Sequence, residues 1–75
     1  MSKFSGKKIV FTGFRDKEIE EELENVGAKI SGSVSSNTNL VIAGDINEQS
    51  SKIVKAKELM IELISKEDFY KAIGK

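Results

Sequence analysis

Short strand-like runs alternate with helical patterns along this chain, and this alternation sets narrow limits on its fold. β-Branched and aromatic residues dominate residues 8–12, and residues 40–43 are apolar at every position, as in a strand covered on both faces. Shorter strands are predicted at residues 28–31 and 61–64. Parallel strands joined through helices require right-handed crossovers. The sequence therefore predicts an α/β domain with a parallel sheet and helices on both faces.

Three helices are predicted between and after these strands, each with a recognisable start. Asp16 is a suitable N-cap for the first helix, and apolar residues recur behind it at helical spacing. Either Ser50 or Ser51 can cap the second helix. Ser65 and Asp68 have the capping-box spacing ahead of the last helix. The predicted element order is strand, helix, strand, strand, helix, strand, helix.

The length and composition favour one intracellular domain. A chain of 75 residues suffices for one modest core, so we predict a single domain over residues 1–75, with residues 1–5 as a loose N-terminal extension. The absence of Cys excludes disulfides and suits a reducing compartment. No apolar run is long enough to cross a bilayer, and none resembles a signal peptide. We expect no membrane partner, and a location in the cytoplasm of a bacterium or the nucleus of a eukaryote.

Enzymatic chemistry is poorly supported by the residue types present. His and Cys are both absent, which removes the commonest general base, the thiol nucleophile and most zinc sites. The glycines match neither the dinucleotide fingerprint nor the P-loop. The glutamates of the predicted first helix are interpreted as a solvated face. We therefore expect no catalytic residue, no metal ion and no cofactor.

The charged residues cancel overall but are unevenly placed. The chain has 12 basic and 12 acidic residues, so bulk charge does not indicate a nucleic-acid-binding protein. Six of the acids lie within residues 16–24, whereas lysines cluster near the start and again within residues 52–57. The molecule is expected to be strongly polarised.

Hydrogen-bond donors are expected to gather at one edge of the sheet. Thr12 and Gly13 follow the first strand, and Ser50, Ser51 and Lys52 begin the second helix. Ligands of open parallel sheets bind beyond the carboxyl ends of the strands, where helix N-termini carry partial positive charge. Hydroxyls, a backbone amide and an ammonium are suitable donors for a phosphate. The alternative is that these residues only end a strand, cap a helix and contact solvent.

Successive blocks of the chain resemble the BRCT family. The matching blocks are residues 6–13, 26–35, 38–44, 51–59 and 61–69. They look most like the domain at the end of bacterial-type NAD-dependent DNA ligases and the domain in the large subunit of replication factor C. The resemblance implies a three-layer α/β fold with a four-stranded parallel sheet in the order 2-1-3-4. Helices 1 and 3 would cover one face, and helix 2 the other.

The resemblance also implies roles for the predicted donors. Family members that bind phosphate use a Thr/Ser-Gly pair after the first strand and a Lys early in the second helix. These positions match Thr12, Gly13 and Lys52. Ser50 matches an additional hydroxyl found in some phosphopeptide readers, with Ser51 as the alternative. The resemblance thus places a phosphate site where the residue chemistry places one.

Two departures from the family pattern bear on the subclass. Many members carry a Trp in the last helix, but this chain has none, and Asp68 takes its place as in the ligase and replication-factor subclass. The usual second glycine before the second strand is Ala28. The first departure favours the DNA-linked subclass over the tandem phosphopeptide readers.

Three functions follow from the resemblance and the donor set. The leading one is a noncatalytic module of DNA replication or repair that binds a 5′-phosphate end or nick, with Arg15 and Lys55 as further DNA contacts. The acidic first helix would then face away from the duplex. The second is a module that docks a phosphorylated or unmodified protein within a replication or repair complex. The third is a structural part of a larger enzyme such as a DNA ligase, whose other domains would be its partners.

Overall fold

Four parallel strands form the central layer of the domain, in the order β2-β1-β3-β4. The structure, a computed structural model, describes residues 2–75. The strands are β1 (Lys8–Thr12), β2 (Lys29–Ser31), β3 (Leu40–Ala43) and β4 (Glu62–Ser65). The helices are α1 (Lys17–Asn25), α2 (Ser51–Glu58) and α3 (Lys66–Ala72). The predicted element order, parallel sheet and strand order are all confirmed.

The core is divided by the sheet into two clusters of side chains. The larger cluster joins α1 and α3 to alternate residues of the central strands: Ile9, Phe11, Ile19, Leu23, Leu40, Ile42 and Phe69. The smaller cluster joins α2 to the intervening residues Val10 and Val41, with Ala56 from the helix. Helices 1 and 3 therefore cover one face and helix 2 the other, as predicted. Because β3 is covered on both faces, it is apolar at every position.

Each helix begins at a side chain that caps it. Asp16, Ser50 and Ser65 each accept a hydrogen bond from the backbone amide three residues further on, at 3.2, 3.3 and 3.1 Å respectively. Such caps each contribute about 1 kcal/mol. The choice between Ser50 and Ser51 is thus decided in favour of Ser50. None of the helices in the described part of the chain has the length and apolar character that a membrane span requires.

The N-terminal segment packs against the core, which corrects the prediction of a loose extension at residues 1–5. Met1 lies outside the described residues. Ser2–Phe4 form one 3-10 turn, and the Phe4 ring centroid lies 5.8 Å from that of Phe69. A single aromatic residue in a short polar segment shows no periodicity, so its burial has no signal in the sequence.

A side-chain hydrogen bond ties α3 to the start of α1. The Tyr70 hydroxyl donates to Asp16 Oδ2 at 2.6 Å. This bond lowers the pKa of the Asp16 carboxyl and raises the pKa of Tyr70 to about 12. Because the folded state holds the Tyr70 proton more tightly than the unfolded state, the stabilisation is complete below pH 10 and is lost as the pH rises towards 12. For Asp16 the sign is opposite, so its contribution is lost only in acid.

Replacing Tyr70 by Phe should lower the free energy of unfolding by about 1–2 kcal/mol at neutral pH, because the ring still packs but the Asp16 carboxylate loses its donor. Urea denaturation followed by circular dichroism measures this loss. Tyr70 is the only tyrosine of the chain, so an ultraviolet absorbance titration reports its ionisation directly. A phenol that titrates in the folded protein at its ordinary pKa would contradict the expected bond.

Candidate functional site

A cavity of about 510 Å³, here called the strand-end cavity, opens where β1 and β2 end and α2 begins. Thr12, Gly13 and Lys52 all line it. These three residues come from the end of β1 and from the first turn of α2, which are 39 residues or more apart in the chain. Because the strands are parallel, both elements lie at the end of the sheet where the carboxyl ends of the strands meet. The structure thus brings together the three residues that sequence analysis singled out first.

The end of β1 is buried and is hydrogen-bonded to the residue that follows β3. Thr12 is only 7% exposed, and its carbonyl accepts a hydrogen bond from the Gly44 amide at 2.9 Å. Gly13 has a φ of +78°, a conformation that side chains with a β-carbon rarely adopt. A β-carbon at this position would also lie 3.3 Å from Glu48 Oε2. The turn after β1 therefore needs glycine, and the Glu48 carboxylate lies beside it.

Lys52 extends from α2 back to the end of β1. Its Nζ lies 3.5 Å from the carbonyl oxygen of Phe11, and the side chain is half-buried. The N-terminus of α2 adds partial positive charge to the same region. The ammonium of Lys52 therefore lies next to the Thr12–Gly13 turn, as a phosphate site would require.

The two predicted serines lie outside the lining of the strand-end cavity. Ser50 is half-buried, and its Oγ accepts the capping hydrogen bond from the Ile53 amide at 3.3 Å. Ser51 is exposed at the first position of α2. The structure does not bring either hydroxyl together with Thr12 and Lys52 in the cavity.

Of the two additional DNA contacts predicted, Arg15 lines the cavity and Lys55 does not. Arg15 Nη2 and Nε donate to the two carboxylate oxygens of Glu20, at 3.0 and 3.2 Å. The Arg15 side chain is 80% exposed, whereas that of Glu20 is only 11% exposed. This pairing fixes one edge of the guanidinium and leaves its remaining N–H donors available to a ligand. Lys55 is exposed on α2.

Sequence analysis missed the acidic wall of the cavity, which consists of Glu20 and Glu24. The interpretation of the α1 glutamates as a solvated face is wrong for Glu20, whose side chain is only 11% exposed, whereas Glu24 is exposed. Their spacing of four places them on the same side of α1. Because α1 starts directly after the β1 turn, that side can border the turn. The lining thus carries two cations, Arg15 and Lys52, against two carboxylates.

The arrangement suits an anion bound by a few directed donors. Residues that carry a hydroxyl, a backbone amide and an ammonium line the cavity together, and charge-assisted bonds from such donors are the strong ones. Among the residues that the structure describes, no group of three or more acidic side chains converges in a way that could hold a metal ion. The oxygens of a phosphate can accept hydrogen bonds from donors of this kind.

Comparison with protein families and sequences gives a consistent assignment. The model of the BRCA1 C Terminus (BRCT) domain matches residues 1–73. A DNA ligase of Clostridium tetani is 49% identical over 77 residues, and one of Acanthamoeba polyphaga mimivirus is 44% identical over 72 residues. These matches cover 97% and 96% of this chain. The chain spans about 11% of the length of either ligase.

Comparison with solved structures gives the same fold. The structure of Rad4 BRCT1,2 in complex with a Mdb1 phosphopeptide matches with a TM-score of 0.77 and 16% identity, over 99% of this chain and 41% of that one. The structure of S. pombe Rad4 BRCT3,4 matches with a TM-score of 0.76 and 20% identity, over 96% and 42% of the two chains. Together with the family match, the fold and the relatives confirm the predicted resemblance: the chain belongs to the BRCT family.

Proposed function

We propose that this domain is a noncatalytic module of DNA replication or repair that holds the 5′-phosphate of a DNA end or nick in the strand-end cavity. The observation that carries the proposal is the convergence of Thr12, Gly13 and Lys52 at the end of β1. DNA is the proposed source of the phosphate because the relatives at 44% and 49% identity are DNA ligases. The module would act inside the cell, beside the other domains of such an enzyme or complex.

The charges around the cavity predict weak binding with a modest dependence on salt. Affinity for duplex DNA comes mainly from the counterions that Lys and Arg contacts release. Here Lys52, Arg15 and the nearby Lys55 supply at most a few such contacts, and Arg15 is already paired with Glu20. We expect log K to fall with log salt with a slope of about −2 to −3. The specific phosphate contact should therefore account for most of the discrimination.

A second candidate function is the docking of a phosphorylated protein. It is favoured by the fold match to Rad4 BRCT1,2, which was solved with a phosphopeptide. A phosphoserine or phosphothreonine offers the same dianionic group to the same donors. The 16% identity of that match supports the fold alone, so the DNA proposal comes first.

Fluorescence anisotropy with two DNA duplexes tests the proposed function. The duplexes have the same sequence and differ only in a 5′-phosphate or a 5′-hydroxyl, and both are titrated at low and moderate salt. We expect the phosphorylated duplex to bind about tenfold more tightly, as a charge-assisted contact of about 1.5 kcal/mol implies. Equal binding of the two duplexes would refute the proposal. A phosphopeptide that displaces the phosphorylated duplex at lower concentration than free phosphate would favour the second candidate.

A further inference from the structure

We propose that the acidic wall, Glu20 and Glu24, restricts the strand-end cavity to the end of a DNA strand and excludes the interior of a strand. The inference rests on the proposed binding of a DNA phosphate. It assigns a role to two carboxylates that line a cavity proposed to bind an anion.

The Lys52 ammonium and the carboxylates of the acidic wall come from opposite faces of the sheet. Lys52 belongs to α2, which covers one face, whereas Glu20 and Glu24 belong to α1, which covers the other. Glu48 adds a further carboxylate beside Gly13, in the loop between β3 and α2. A phosphate held by Thr12, Gly13 and Lys52 therefore has an ammonium on the α2 side. On the α1 side lie the Arg15–Glu20 ion pair and the carboxylate of Glu24, which forms no ion pair with any residue that the structure describes.

This asymmetry distinguishes an end from an interior position. An internal phosphodiester has a charged neighbour in both directions along the strand, and the charges repeat every few ångströms. A DNA strand that is bound through an internal phosphate beside Lys52 must continue past the carboxylates of the acidic wall. A terminal phosphate has a neighbour on one side only, so the strand can leave over α2 and bring no second phosphate to the acidic wall. Like charges brought together in this way lower affinity, and the effect is largest at low salt because Glu24 is exposed.

The two glutamates differ in what their removal would do. Glu20 is nearly buried and holds Arg15, so its replacement would disturb both packing and a possible ligand contact. Glu24 is exposed, and no ion pair joins it to another residue in the described part of the chain. Glu24→Gln is therefore the cleaner probe. Glu21→Gln is its matched control, because Glu21 is exposed on the same helix but does not line the cavity.

The experiment measures two affinities for each variant at low salt. One ligand is a linear duplex with a 5′-phosphate, and the other is a closed, dumbbell-shaped duplex of the same sequence that has no ends. Glu24→Gln should raise affinity for the closed duplex about three- to tenfold and that for the phosphorylated end less than about twofold. The ratio of the affinity for the phosphorylated end to the affinity for the closed duplex should therefore fall. Glu21→Gln should raise both affinities by the same small factor.

Two results would overturn the inference, and they are distinguishable. If Glu24→Gln changes both affinities as Glu21→Gln does, Glu24 is a solvated surface charge and the acidic wall selects nothing, while the phosphate site itself stands. If the wild-type domain shows no preference for a 5′-phosphate over a 5′-hydroxyl, the proposed function fails and the inference falls with it.

Discussion

Replacing Phe69 by Ala is expected to remove about 3–5 kcal/mol from the free energy of unfolding, the usual cost of truncating a buried Phe. Phe69 is fully buried and belongs to the cluster that joins α1 and α3 to the sheet. Its ring also contacts those of Phe4 and Tyr70, at centroid distances of 5.8 and 6.2 Å. A domain of this size has a total stability of about 4–11 kcal/mol. The substitution should therefore remove a large part of it.

Urea denaturation followed by circular dichroism measures this effect, with Met60→Ala as the control. Met60 is 92% exposed and has a φ of +57°, which Ala would share, so its truncation should change stability by less than about 0.5 kcal/mol. If Phe69→Ala costs no more than the control, the cluster on the α1 and α3 face is not the main source of stability. The N-terminal turn should also separate from the core in the Phe69 variant, since Phe4 loses its partner.

The elements that sequence analysis predicted correctly are those defined by neighbouring residues. β3 is apolar at four consecutive positions, and this pattern alone indicates a strand covered on both faces. Asp16 and Ser65 cap helices because their side chains reach amides only three residues away. Since strands and caps are set by local chemistry, the element order could be read from the chain. The order in turn restricts the topology, because crossovers are short and right-handed.

The contacts that sequence analysis missed join residues that are far apart in the chain. Tyr70 and Asp16 are separated by 54 positions, and nothing near either residue indicates the other. Phe4 packs on Phe69 across 65 positions, so the N-terminal segment was wrongly predicted to be loose. Such contacts depend on how the helices and the N-terminal segment pack on the sheet. The periodicity of apolar residues in the sequence does not determine that packing.

The candidate site was predicted in part for the same reason. Thr12, Gly13 and Lys52 follow from the rule that ligands bind beyond the carboxyl ends of parallel strands. The rule identifies the end of the sheet at which a ligand binds, but it does not identify every residue that lines the site. Whether Ser51 enters the cavity and whether Glu24 lines it depend on how each helix is rotated on the sheet. Those rotations are set by tertiary packing.

Replacing Lys52 by Ala is expected to abolish most of the phosphate-dependent binding. The ammonium lies 3.5 Å from the Phe11 carbonyl and lines the cavity with Thr12 and Gly13. A hydrogen bond to a charged group contributes at least about 1.5 kcal/mol, so affinity for a 5′-phosphorylated duplex should fall about tenfold, which removes the expected preference over the 5′-hydroxyl duplex. The slope of log K against log salt should become shallower by about 1. Affinity for the 5′-hydroxyl duplex should fall much less.

Lys57→Ala is the matched control for this loss, because it removes the same charge from an exposed position of α2 that does not line the cavity. It should weaken both duplexes by the same small factor, about two- to threefold, through long-range charge alone. The loss of affinity caused by Lys55→Ala should lie between the losses caused by the other two variants if Lys55 contacts the DNA strand that leaves over α2. If Lys52→Ala and Lys57→Ala weaken the binding of both duplexes to the same extent, Lys52 contributes only to the general electrostatic attraction for DNA. A phosphate held by the end of β1 would then gain nothing specific from this lysine, and docking of an unmodified protein, which does not use these donors, would become the better explanation of the domain.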